Sequence, residues 1–204
     1  ALAVWDAATG KPLFGPRSVW DRGPQRFAEH DMHNRINRAA LSPDGKLLAL
    51  ASEASGALGV FDVDAGKELA RTRAFRGHLA VLEFGLDGKS ILTNGSDTVA
   101  RLWDARTVAP AGPPLRHARL CGSADLAADG RHVLTVDLDL VVRLWDGLTG
   151  DPLGRLDTKL ANNAVWFSAH GKRLILNGAR SFALPPHRGP PADRRPRLAA
   201  GRTG

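Results

Sequence analysis

Residues 80–108 read AVLEFGLDGKSILTNGSDTVARLWDARTV. Three short apolar runs, near 79–84, 89–94 and 99–104, are separated by the Asp87-Gly88 pair and by the polar Ser96-Asp97 turn. Short runs bounded by such residues are strand chemistry, and no sustained helical period of 3.6 runs through them. Asp-Gly suits a tight hairpin because both residues tolerate positive φ. The stretch therefore predicts antiparallel strands joined by hairpins.

The unit recurs. Gly45, Gly88, Gly130 and Gly171 follow one another at steps of 43, 42 and 41 residues; the first three close an Asp-Gly pair and the fourth a His-Gly pair. Phe61-Asp62, Trp103-Asp104 and Trp145-Asp146 keep a step of 42. Trp5-Asp6 is an earlier copy, 56 residues before Phe61-Asp62. A fixed period in this range is the signature of repeats that bury their faces against one another. A fourth, more polar strand follows each such pair, as in KELART and DPLGRL.

These residues resemble the WD40 repeat family: the Trp-Asp ending, the Ser42-Pro43-Asp44-Gly45 turn, the Gly77-His78 pair and the period all match over residues 1 to about 184. The resemblance implies an all-β fold of β-propeller blades, each of four antiparallel strands. About four blades fit the length, so the propeller is expected to be incomplete and open. The divisions expected are half a blade over 1–13, a loop insert over 14–32, blades over 33–74, 75–116 and 117–156, a partial blade over 157–184, and a basic Pro/Arg-rich tail over 185–204. Three readings of the missing ring stay open: a longer parent chain, two copies that pair through exposed end blades, or a tight ring closed by the two half blades.

In this family a His, a Ser or Thr, an Asp and a Trp link the strands of a blade. Carried onto this sequence, the network is His78, Thr93, Asp97 and Trp103 in one unit and His117, Thr135, Asp139 and Trp145 in the next. In the unit before them His33 keeps its place, while Ala51, Ser55 and Phe61 stand for the other three. Linked in this way, buried polar groups are satisfied and fix the strand register.

The resemblance implies a non-catalytic scaffold that binds other proteins, of a type found in bacteria as the regulatory part of multidomain proteins and expected in the cytoplasm. Its contact positions, on the loops before each first strand and the turns between second and third, are Arg35, Ala80, Ser96, Arg119, Leu138 and Asn162. The insert adds Trp20 and Phe27 as candidate contacts, because long loops on rigid scaffolds often carry binding. The alternative is a propeller enzyme or small-ligand binder. It would use Glu83 and Asp125, which with Ala40 and Trp166 occupy the place before the last apolar residue of each first strand. Either these four line a central channel or the strands shift register.

Other chemistry finds little support. The net charge of +7 is concentrated in residues 185–204, where five Arg against Asp193 supply +4, so it speaks for a solvated tail rather than a nucleic-acid surface. Cys121 is the single cysteine. No apolar run approaches the roughly 18 residues of a membrane span. His30 and His33, with Asp31 between them, have zinc-ligand spacing but no third partner, and Asp137 with Asp139 fits the blade network better than paired catalytic acids. No cofactor is expected.

Overall fold

The computed structural model describes residues 2–17, 36–157, 165–168, 173–176 and 180–183. Every regular element among them is a β-strand. A two-stranded sheet pairs β1 (Leu2–Trp5) with β2 (Pro12–Arg17). Blade 1 follows with β3 (Arg38–Leu41), β4 (Leu47–Ser52), β5 (Ala57–Asp62) and β6 (Lys67–Arg73). Blade 2 holds β7 (Leu79–Phe84), β8 (Ser90–Gly95), β9 (Val99–Asp104) and β10 (Leu115–Arg116). Blade 3 holds β11 (Cys121–Leu126), β12 (His132–Asp137), β13 (Val141–Asp146) and β14 (Pro152–Asp157). The last sheet joins β15 (Val165–Phe167), β16 (Arg173–Leu176) and β17 (Arg180–Ala183).

Each sheet is an antiparallel meander in chain order, and among the described residues no strand pairs with a strand of another sheet. The sheets are therefore separate blades, and among the described residues they do not close into a barrel. The first strands β3, β7, β11 and β15 touch in succession, so the blades converge on that side.

The second strand of each blade explains the stacking. β4 and β8 are buried along their whole length, which an alternating half-exposed strand could not be. Leu47, Ala49 and Ala51 of β4 face blade 2, where they meet Leu79, Ile91 and Trp103. Leu48 and Leu50, on the other side of the same strand, pack with Phe61 and Val63 against Val4 of the first sheet. In β8, Ile91 joins the first of these clusters, while Leu92 turns the other way to Leu126, Val133 and Trp145 of blade 3. Leu134, Val136 and Val142 then meet Val165 and Leu174. The hydrophobic core is thus a series of layers between blades, and no blade could hide both faces alone.

Two boundaries differ from expectation. β2 runs to Arg17, so the loop insert cannot begin at residue 14; the pairing of β1 with β2 continues to Leu2 opposite Arg17. The fourth strand of blade 2 is reduced to two residues, because Pro110, Pro113 and Pro114 in the preceding loop have no N–H to give to a ladder. Residues 18–35 and the tail, with Trp20, Phe27, His30, Asp31, His33 and Gly171, lie outside the described residues.

The turn between the second and third strands is strained in two blades. Blade 1 places Gly56 there at φ +69°. The equivalent residues are Thr98 at φ 61° and Leu140 at φ 62°. A side chain in this region costs about 1–2 kcal/mol, and a β-branched one is an outlier. Thr98→Gly should therefore stabilise the protein by about 0.5–1 kcal/mol, after the entropic cost of glycine, and raise the thermal midpoint. A lower midpoint would show that the Thr98 side chain contributes more than its strain removes.

Candidate protein-binding face

The loops before the first strands and the turns between second and third strands share one end of the blades. In blade 2 these two segments are pinned by main-chain geometry. The Ser96 N–H donates to the His78 carbonyl at 2.8 Å, and the His78 N–H donates to Ser96 Oγ at 2.9 Å. Blade 3 repeats the joint at equivalent positions, where the Leu138 N–H donates to the Leu120 carbonyl at 3.0 Å. The scaffold is the same and the display is different. Blade 2 shows His78 and Ser96; blade 3 shows Leu120 and Leu138, which are 41% and 54% exposed. Arg119 Nε and Asp139 Oδ2 approach to 3.5 Å on the neighbouring positions, both side chains mostly in solvent. An apolar pair flanked by opposite charges results.

Of the contact positions read from the sequence, Arg119 and Leu138 fall together in this patch. Ser96 is exposed, but its hydroxyl is engaged by His78. Ala80 is half-buried at a register shift between Leu79 and Val81, where β7 bulges against β8. Arg35 and Asn162 lie outside the described residues. Leu120 was not among the positions read; its signal was an apolar residue in an otherwise polar loop.

The hydrogen-bonded network is only partly as expected. Trp103 Nε1 donates to Thr93 Oγ1, and Trp145 Nε1 to Thr135 Oγ1, both at 2.8 Å. Among the described residues, the His and Asp members add no hydrogen bond to these pairs. His78, fixed by its main chain to Ser96, turns its imidazole outward to Glu53 Oε1 at 2.9 Å. Glu53 also accepts the Leu79 N–H at 3.2 Å, which ties blade 1 to blade 2. Asp97 accepts from Arg101 at 2.8 Å. In blade 3 the carboxylate that meets the equivalent arginine, Arg143, is Asp137 and not Asp139. Asp137 stands where blade 2 has Gly95, so its side chain reaches the turn first and accepts the N–H groups of Asp139 and Val141 at 3.1 and 3.0 Å. Asp139 is thereby left at the surface.

His117 is buried edge-on to Trp145, with ring centroids 5.4 Å apart. Neither ring nitrogen meets a hydrogen-bond partner among the described residues. Burial, with Arg143 nearby, pushes its pKa down to about 4, so the ring is neutral at pH 7.

In blade 1 the register corrects one assignment. Gly59, two residues before Phe61, pairs with Leu50, as Arg101 before Trp103 pairs with Thr93. Leu50, and not Ala51, therefore takes the threonine's place. Leu50 and Phe61 pack in one apolar cluster, so both polar members of the Trp–Thr pair are replaced together and neither strands the other, while Ser55 Oγ, at the Asp position, is buried without a partner among the described residues.

Glu83 and Asp125, the candidate acids of the alternative reading, lie between blades. Asp125 Oδ2 accepts the Phe167 N–H of the last sheet at 2.6 Å. Its Oδ1 accepts the Leu126 N–H at 3.0 Å. Both oxygens are thus engaged by main chain. Ala40, the equivalent position in blade 1, is half-buried, and Trp166 is half-exposed. Register shifts occur as well, but at the start of β7 and β11 rather than at these positions.

No helix among the described residues is long and apolar enough to cross a membrane. Comparison with protein-family models and with curated proteins finds no match for this chain. Fold and face together define an open array of β-propeller blades with a variable loop end.

Proposed function

We propose that this chain is a WD40-type scaffold that binds other proteins through the loop end of its blades and does no chemistry of its own. One observation carries the reading. At positions held by the same main-chain joint, blade 2 displays His78 and Ser96 while blade 3 displays Leu120 and Leu138. Variation of side chains on a constant frame is how loop ends of rigid scaffolds acquire partners. Exposed leucines rimmed by Arg119 and Asp139 are the kind of small apolar centre with a charged edge that protein interfaces use. The resemblance to WD40 repeats, carried by the Trp–Thr pairs at 2.8 Å and the period of 42, supports the same class. A regulatory role within a larger bacterial protein follows from that resemblance.

A photo-crosslinking residue at Leu138, compared with one at the outer-strand position Leu69, tests the face in cells. The expected result is a recurrent protein partner captured from position 138 and absent from position 69. Leu120→Asp should abolish that capture and leave the thermal midpoint within about 1 °C, since surface changes shift stability little. Equal capture from both positions would sink the reading.

A further inference from the structure

The first strands carry a feature that a binding face does not need. Glu83, Asp125 and Trp166 are successive copies of one repeat position, 42 and 41 residues apart. From that position Asp125 reaches across to the next blade and takes the N–H of Phe167. Glu83 occupies the equivalent place in blade 2, with its carboxyl toward the Leu126 main chain of blade 3, but the Leu126 N–H is given to Asp125 Oδ1 at 3.0 Å. The Phe167 N–H, on the free edge of β15, has no further strand to bond, so a carboxyl from the preceding blade serves it. Unlike Asp125, Glu83 has an Oε1 that is buried without a protein partner among the described residues.

We propose that this seam makes the joint between blades 2 and 3 sensitive to pH, with Glu83 holding the joint as a neutral acid and loosening it when its proton leaves. The groups around it explain the direction. From β11 the facing charge is Asp125, a like charge. β3, packed on the other side, brings Arg38, but its Nε is given to the Leu79 carbonyl at 3.2 Å. β8, paired with β7, presents Leu92 opposite Glu83 and no ionisable residue. No cation therefore compensates an ionised Glu83 among the described residues. Burial first, then the Asp125 charge, pushes its pKa up to about 8. Burial also raises Asp125, against the N–H groups of Phe167 and Leu126.

A carboxyl raised in the folded state gives stability that is complete below its unfolded pKa, near 4.5, and is lost as pH climbs to about 8. The thermal midpoint should therefore fall by about 5–10 °C between pH 5 and pH 9. In Glu83→Gln, which keeps a neutral group of the same shape, that decline should be largely absent. In the wild-type chain the Leu126 amide should lose protection from hydrogen exchange over the same range, relative to the Leu134 amide inside blade 3. Should Glu83→Gln fail to fold, carbon-13 titration of Glu83 decides: a midpoint near 8, lowered in Asp125→Asn, supports the seam. A midpoint in the ordinary carboxylate range, or an unchanged pH slope in Glu83→Gln, overturns it.

Discussion

Asp137→Ala should lower the stability of the chain by about 3–5 kcal/mol, while Asp139→Ala, two residues on, should cost less than about 0.5 kcal/mol. The asymmetry follows from burial. The Asp137 side chain is 2% exposed and carries the negative charge opposite Arg143, whose own side chain is 19% exposed. It also accepts two N–H groups of the turn that leads into β13. Its removal leaves a cation and two amides without partners in a nearly dry site. Asp139 is 60% exposed and sits 3.5 Å from an equally exposed arginine, the kind of contact that contributes almost nothing. Burial acts to raise the pKa of Asp137, but the Arg143 guanidinium and the Val141 N–H outweigh it and hold the group below the usual carboxylate range. Its stabilisation is therefore present above that range and is lost as the pH falls through the folded pKa. Asp137→Asn should flatten the acid limb of the stability profile. Urea midpoints at pH 7 and pH 3 check both statements, and a larger loss for Asp139→Ala would restore the assignment read from the sequence.

That contrast marks the limit of what the sequence could disclose. Strand position was legible because burial dictates it: LLALAS is apolar on both sides, SILTNG puts Ile91 on one side and Leu92 on the other, and the structure buries both sides of each strand. The Trp–Thr pairs were legible because their spacing is set by hairpin register, which the three-residue turns 96–98 and 138–140 fix. The aspartates were not. Asp137 and Asp139 are both two-residue neighbours on the same face, and the choice between them depends on which one first meets the turn's N–H groups. Spacing points to Ala51 for the threonine's place, but blade 1 has one more residue between its second and third strands than blade 2, and pairing puts Leu50 there. The roles of Glu83 and Asp125 were hidden for a different reason. Their partners are main-chain amides of the next blade, which carry no letter in the sequence.

Trp103→Ala should cost about 4–5 kcal/mol, because the indole fills the layer between blades 1 and 2. It is 4% exposed and lies in one cluster with Leu47, Leu58 and Val60 of the preceding blade. Loss of a buried Trp side chain opens a cavity that rigid sheets cannot collapse to fill. The more informative substitution is Trp103→Phe, which keeps most of the packing and deletes the N–H that Thr93 accepts at 2.8 Å. Blade 1 already contains the answer expected for the pair: Phe61 beside Leu50, apolar on both sides. Thr93→Leu alone should cost about 1–3 kcal/mol, since it strands the indole N–H in a dry layer. Combined with Trp103→Phe it should cost less than the sum of the single changes by about 1 kcal/mol, because the second change removes the group the first one orphaned. Denaturant midpoints for the four members of the cycle measure that coupling. Strictly additive losses would mean that the two residues share a layer but no bond, and that the register of blade 2 rests on its apolar side chains alone.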